Sequence, residues 1–105
     1  MIELPEPIQR FIESSNRGDA SAVISCFTTD STLRDWGRVF EGRAGIADWD
    51  KTDNTGVRSH LEALNMRAVN GHYSVTVRVN GEGFNGVGEM LFTLEGDRIA
   101  RLDIE

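Results

Sequence analysis

Residues 28–50, TTDSTLRDWGRVFEGRAGIADWD, are the join on which the fold turns. Upstream of them apolar residues recur at helical spacing, and downstream of Gly56 they alternate as in strands. Two layers of different period therefore meet in this stretch, and a pocket forms most naturally where they meet. At its centre stands Asp35, an acid between a short β-like run, residues 31–35, and Trp36. Arg38 to Glu41 reads as the partner strand across a turn at Trp36 and Gly37. Gly42 and Gly45 then bracket Arg43 and Ala44, and Ile46, Ala47 and Trp49 supply a helical turn or two.

Before the join, Pro5 and Pro7 suit the first turn of a helix whose buried stripe is Ile8, Phe11 and Ile12. Gly18 ends it, and Asp19 is placed to cap a second, shorter helix carrying Ala22, Val23 and Cys26. After the join, KTDNTG (51–56) reads as a polar loop, and His60 to Val69 as a strand ending at an Asn70 and Gly71 hairpin signal. Strict alternation follows, with Tyr73, Val75, Val77 and Val79 on one side and Ser74, Thr76 and Arg78 on the other. Gly86 to Glu95 and Arg98 to Ile104 are further strands, separated by Gly96 and Asp97. Helices first and a meander afterwards predict an α+β domain with helices on one face of a curved antiparallel sheet.

A chain of 105 residues makes one domain. Its 11 basic and 17 acidic residues, net −6, are scattered, which disfavours a nucleic-acid groove or an anionic membrane surface and points to a small apolar molecule as partner. The single cysteine, Cys26, cannot form an intramolecular disulfide and reads as a small buried hydrophobe. The opening MIELPEP lacks the basic, then apolar, pattern of a signal peptide, and no stretch is apolar enough for a membrane span, so a cytoplasmic location is expected. With two isolated histidines, no ligand-spaced carboxylates and no phosphate-cradling glycine loop, neither a metal nor a cofactor is expected.

Four segments together carry a resemblance. They are Asn16-Arg17-Gly18-Asp19 after the first helix, Phe27-Thr28-Thr29-Asp30-Ser31-Thr32, Phe40-Glu41-Gly42-Arg43-Ala44-Gly45-Ile46, and the closing Gly96-Asp97-Arg98-Ile99 hairpin with Leu102. In order and spacing the chain resembles, over nearly its whole length, the SnoaL-like branch of the nuclear transport factor 2-like superfamily. The resemblance implies a cone of curved antiparallel sheet capped by three N-terminal helices, a cystatin-like shape with an apolar cavity at its wide end, and frequent homodimers through the outer sheet face. Ketosteroid isomerases and polyketide cyclases belong to that group, as do members with no known reaction.

Carried over position by position, the isomerase pattern places its general-base aspartate at Asp35. Its oxyanion-hole tyrosine falls at Phe11 and its neutral carboxylic acid near Met90, so both usual donors are missing. Such donors contribute roughly 3 to 4 kcal/mol each, and the candidates to replace them are Tyr73, His60 and the indole N–H groups of Trp36 and Trp49. The substrate-binding set expected from the resemblance and the aromatic inventory is Phe11, Trp36, Trp49, His60, Tyr73, Val75, Met90 and Phe92.

Blander roles compete at each position. Asp35 can simply cap the Trp36–Gly37 turn, the aromatics can be core fillers, and Asp48 and Asp50 read as solvated residues flanking Trp49. Alternation does not say whether His60, Glu62, Leu64 and Met66 or Ser59, Leu61, Ala63 and Asn65 face inward. Three readings follow: an isomerase or cyclase using Asp35 as general acid/base, a non-catalytic pocket for a small apolar ligand, or a dimeric interaction module whose outer face presents Thr76, Arg78 and Thr93.

Overall fold

Ile8, Phe11 and Ile12 hold helix α1 (Glu6–Arg17) against the inner face of a six-stranded sheet in the computed structural model, which describes residues 2–105. Met1, the first residue of the MIELPEP stretch, lies outside the described residues. Pro5 precedes α1 and Pro7 occupies its first turn, where a missing N–H costs nothing. Gly18, at φ 72°, closes the helix in the left-handed conformation that glycine adopts without strain. The Asp19 carboxylate then accepts from the Ala22 N–H at 3.1 Å and starts α2 (Ala20–Ser25).

The chain continues through β1 (Phe27–Asp35), β2 (Arg38–Glu41), α3 (Gly42–Asp53), a 3₁₀ turn at Thr55–Val57, and the long strands β3 (His60–Val69), β4 (His72–Asn80), β5 (Gly86–Glu95) and β6 (Arg98–Ile104). Strand order is β2-β1-β6-β5-β4-β3. The architecture is the expected curved sheet with N-terminal helices, with one difference: β1 runs parallel to β6, while all other neighbours are antiparallel. The Ile99 N–H donates to the Cys26 carbonyl at 2.8 Å, so the end of α2 delivers β1 into the sheet beside the start of β6. A pairing between the two ends of the chain leaves no mark in local periodicity.

A bulge between Ala63 and Asn65 changes the phase of β3. Leu61 and Ala63 face inward before it; after it Met66, opposite the buried Val75, packs on the core. Neither strict alternation was therefore followed, because the extra residue of a bulge moves the following side chains to the other face. The edge of β3 is tied to α1 by Asn16, whose amide donates to the Leu61 carbonyl at 2.9 Å and accepts from the Leu61 N–H at 2.7 Å.

Phe11 sits at the centre of the core. Its ring meets Phe27 and Phe92 edge-on at 5.8 and 5.7 Å and stacks on Trp49 at 6.3 Å. Burying one such ring stabilises the fold by about 1.5–3 kcal/mol, and here four aromatic rings share one contact region between helices and sheet.

Helix α3 is longer than its apolar spacing indicates, taking in residues 51–53 of the stretch read as loop. Asp50, read from the sequence as solvated, is in fact 1% exposed. Its carboxylate accepts from Asn54 Nδ2 at 3.0 Å and from the Thr55 hydroxyl, while Asn54 Nδ2 also donates to Ser15 Oγ at 3.0 Å. A buried carboxylate is tolerated when donors surround it, and these tie the end of α3 to α1.

Candidate functional site

A cavity of about 310 Å³ opens at the end of the sheet where β1, β4 and β6 finish and β5 begins. Leu61, Val77, Val79 and Met90 form its apolar wall, and Trp49 closes it on the helical side. Beside the cavity β5 presents glycine where other groups approach its backbone closely. Gly86 lies opposite Val79 and Gly88 opposite Val77, and a Cβ on Gly86 would come within 3.0 Å of the Phe84 ring. A Cβ on Gly88 would come within 2.8 Å of the Glu105 carbonyl oxygen.

Asp35 ends β1 and is 8% exposed on the cavity wall. The stack of Trp49 on Phe11 fixes the indole plane, and the Trp49 N–H donates to Asp35 Oδ2 at 3.0 Å. Arg38, opposite Asp35 in the β1–β2 ladder, donates to the same oxygen at 3.0 Å. Among the described residues nothing donates to Asp35 Oδ1, and that atom is not among the fully enclosed unpartnered ones, so the lining carboxylate keeps one oxygen open.

Arg38 crosses the mouth. Its guanidinium lies over the Phe40 ring at 5.5 Å and also bonds Asp53 at the end of α3. Burial pushes the Asp53 carboxyl upward, but hydrogen bonds from Arg38 and Thr52 and the charge of Arg38 outweigh it and hold Asp53 below the usual carboxylate range. The hydrogen bond to Asp53, joined by the charges of Asp53 and Asp35, pushes Arg38 higher still against the smaller opposing effect of burial. The cluster thus sets one permanent cation between two carboxylates at the edge of an apolar cavity.

Trp36 and Gly37 make the two-residue turn from β1 to β2, both at positive φ, 50° and 88°. Tryptophan is an unusual residue for that conformation. The residue is 74% exposed and lines the cavity, as Phe84 does.

Of the residues the sequence put forward, Asp35, Trp36, Trp49 and Met90 come together on the cavity. Phe11, Val75 and Phe92 are fully buried in the core beneath it, so they support the wall without forming it. His60 is exposed at the start of β3, and Tyr73 is half-buried against the core near the Asn70–Gly71 hairpin, away from the cavity. Neither supplies a donor there. The Trp49 N–H is committed to Asp35, which leaves Arg38 as the cationic donor at the site.

Sequence reasoning passed over Arg38, Asp53, Ser59 and Phe84, all of which line the cavity. The available signal for Arg38 was its place opposite Asp35 across a two-residue turn, which brings the two side chains onto one face of the hairpin.

The outer sheet face is covered by paired polar groups. Arg78 bonds Glu62 at 3.1 Å, Thr76 and Ser74 donate to Glu89, and Thr93 meets His72 Nδ1 at 2.8 Å.

A family model described as SnoaL-like domain matches residues 8–102. The chain belongs to the SnoaL-like domain family. Solved structures agree with this SnoaL-like assignment at the level of the fold. A candidate polyketide cyclase from Sinorhizobium meliloti superposes with a TM-score of 0.88 at 24% identity, covering 97% of this chain and 95% of that one. A Catenulispora acidiphila protein with a ketosteroid isomerase-like fold, solved in complex with trimethylamine, gives 0.84 at 18% identity over 98% and 86% of the two chains. A computationally designed 17-OHP binder gives 0.83 at 12% identity over 99% and 92%. No curated protein matches the chain significantly. No described helix is long and apolar enough to cross a membrane.

Proposed function

We infer that the cavity binds a small, largely apolar molecule carrying a carbonyl or enol oxygen, and that Asp35 moves a proton on it as general acid/base in a reaction of the isomerase or cyclase kind. The observation that carries this reading is the asymmetry of the Asp35 carboxylate: Oδ2 is held by Trp49 and Arg38, while among the described residues nothing donates to Oδ1. A base must be fixed in direction yet keep one oxygen free to meet the proton. Arg38 is the group placed to stabilise charge developing on the substrate oxygen, in place of the donors that Phe11 and Met90 cannot provide. A cavity of about 310 Å³ lies at the small end of the range for organic ligands.

Two structures of the same fold, one in complex with trimethylamine and one designed to bind 17-OHP, support a ligand-holding role for this fold, without identifying the molecule. The reading places the protein among small cytoplasmic pocket proteins. A homodimer through the outer sheet face belongs to it as well, and light scattering on the purified chain tests that part.

One observation favours a second reading, a pocket that binds without chemistry. Asp35 and Asp53 both bond Arg38 directly, as a purely structural clasp at the mouth would. A thermal-shift screen of small ketones and apolar alcohols separates the two. The catalytic reading expects a ligand that stabilises the parent, is excluded by Val79→Trp, and is converted by the parent but not by Asp35→Asn. A ligand bound equally by parent and Asp35→Asn and converted by neither supports the second reading.

A further inference from the structure

We propose that the recess between α1, α2 and the start of β6 is a second binding site, which takes the oxyanion group of a small metabolite on Arg10, Arg17 and Arg98. The recess measures about 200 Å³, and Glu13, Ser25 and Cys26 complete its main walls. None of its residues lines the larger cavity, so the site is independent of the reaction assigned to Asp35.

The argument starts from charge. The chain has 11 basic residues against 17 acidic ones, yet three of the basic residues converge on this one recess. Arg38, Arg78 and Arg101 each hydrogen-bond a carboxylate. Among the described residues the three at the recess, like Arg34, Arg43, Arg58 and Arg67, do not, but only these three share one hollow. Arg10 pairs with Glu6 and Arg17 with Asp19 only through long, exposed ion pairs of 3.8 Å, which solvent screens and a ligand can displace. Glu13, the acid in the recess wall, accepts from Gln9 along α1 at 2.9 Å.

Two of the three cations are also held in place. Arg10 donates to the Asp97 carbonyl at 2.5 Å and Arg98 to the Ser25 carbonyl at 2.9 Å. Each tether uses part of a five-donor fork and leaves the other N–H groups for a ligand, with little further ordering required. Burial pushes the Cys26 thiol up, and the charges of Arg10, Arg98 and Arg17 pull against it, so the three fields meet at the recess. Planar forks around a small hollow match the oxygens of a phosphate or carboxylate group. The volume admits such a group together with part of the molecule that carries it.

Titration of the full chain with sodium phosphate, and in parallel with sodium succinate, tests the site by amide NMR at low ionic strength, against sodium chloride matched in ionic strength. Saturable shifts are expected at Ser25, Cys26 and Arg98, with Leu61 and Met90 unmoved, and the tighter of the two anions tells a phosphoryl from a carboxylate ligand. Arg98→Gln should weaken binding the most. Arg17→Gln, at an exposed residue with no hydrogen bond to lose, should weaken it about three- to fivefold without altering the fold, and decides the matter if Arg98→Gln does not fold. Shifts that fail to saturate, that chloride reproduces, or that persist unchanged in Arg17→Gln overturn the proposal.

Discussion

The indole nitrogen of Trp49 stands 3.0 Å from Asp35 Oδ2, joining the middle of α3 to the last residue of β1 through a buried hydrogen bond. The stack on Phe11 sets the ring, the ring sets the carboxylate, and the carboxylate presents its remaining oxygen at the cavity. Trp49→Phe keeps an aromatic ring against Phe11 but deletes the donor together with the pyrrole half of the indole. Urea unfolding should show a loss of about 2–4 kcal/mol, from the lost bond and the cavity together, and a loss too small to measure would mean the indole bond does not hold Asp35.

Asp50 offers a sharper stability test. Asp50→Ala strips the acceptor from the buried Asn54 amide and the half-buried Thr55 hydroxyl. Thermal or urea unfolding should report about 2–4 kcal/mol of destabilisation, the penalty for buried donors left unpaired. The neighbouring Asp48→Ala, on the side of α3 away from that network, should stay within about 0.5 kcal/mol of the parent.

Acid should loosen the mouth before it unfolds the core. Asp53 is held below its ordinary value in the folded chain, so its contribution is fully present above the unfolded-state value and is lost as pH falls through the lower, folded one. Unfolding free energy measured from neutral pH downward should therefore fall below about pH 4. Arg38→Gln should flatten that acid limb. An acid limb of the same steepness in Arg38→Gln would show that the Arg38–Asp53 pair does not set it.

Trp36 occupies a turn position that favours asparagine or glycine. Trp36→Asn should raise stability by about 0.5–1.5 kcal/mol, through relief of the positive-φ strain, and at the same time weaken binding of any cavity ligand that the indole touches. Differential scanning calorimetry with and without a screened ligand checks both effects. A variant that is less stable than the parent would show that the exposed indole earns its place by packing.

The four long strands were legible because β4 alternates from Tyr73 to Val79 and the turns of the meander carry glycine, at the Asn70–Gly71 and Gly96–Asp97 hairpins. Helix α3 was half-legible. Its buried side includes Asp50, whose burial rests on Asn54 and Thr55 and so breaks the apolar stripe that marks a helix. The β3 bulge at Leu64 was hidden for a related reason, since neither alternation of that strand runs its full length. At the site, Asp35 was identifiable from the order of elements around it, whereas its partner Arg38 was marked only by its place opposite Asp35 across the turn, because an ion pair across a hairpin leaves no periodic trace. The same alternation marks Phe92 and Met90 as inward, and only the bend of the sheet decides that Phe92 is core and Met90 cavity wall.

Hydrogen–deuterium exchange at the α-carbon of a small cyclic ketone in D₂O, followed by proton NMR, reads the proton transfer assigned to Asp35 directly. Exchange should be faster with the parent than in buffer, should fall by about a hundredfold or more in Asp35→Asn, and should fall also in Arg38→Gln. A ketone shown to bind whose exchange is no faster than in buffer, or is equally fast with Asp35→Asn, would contradict the account.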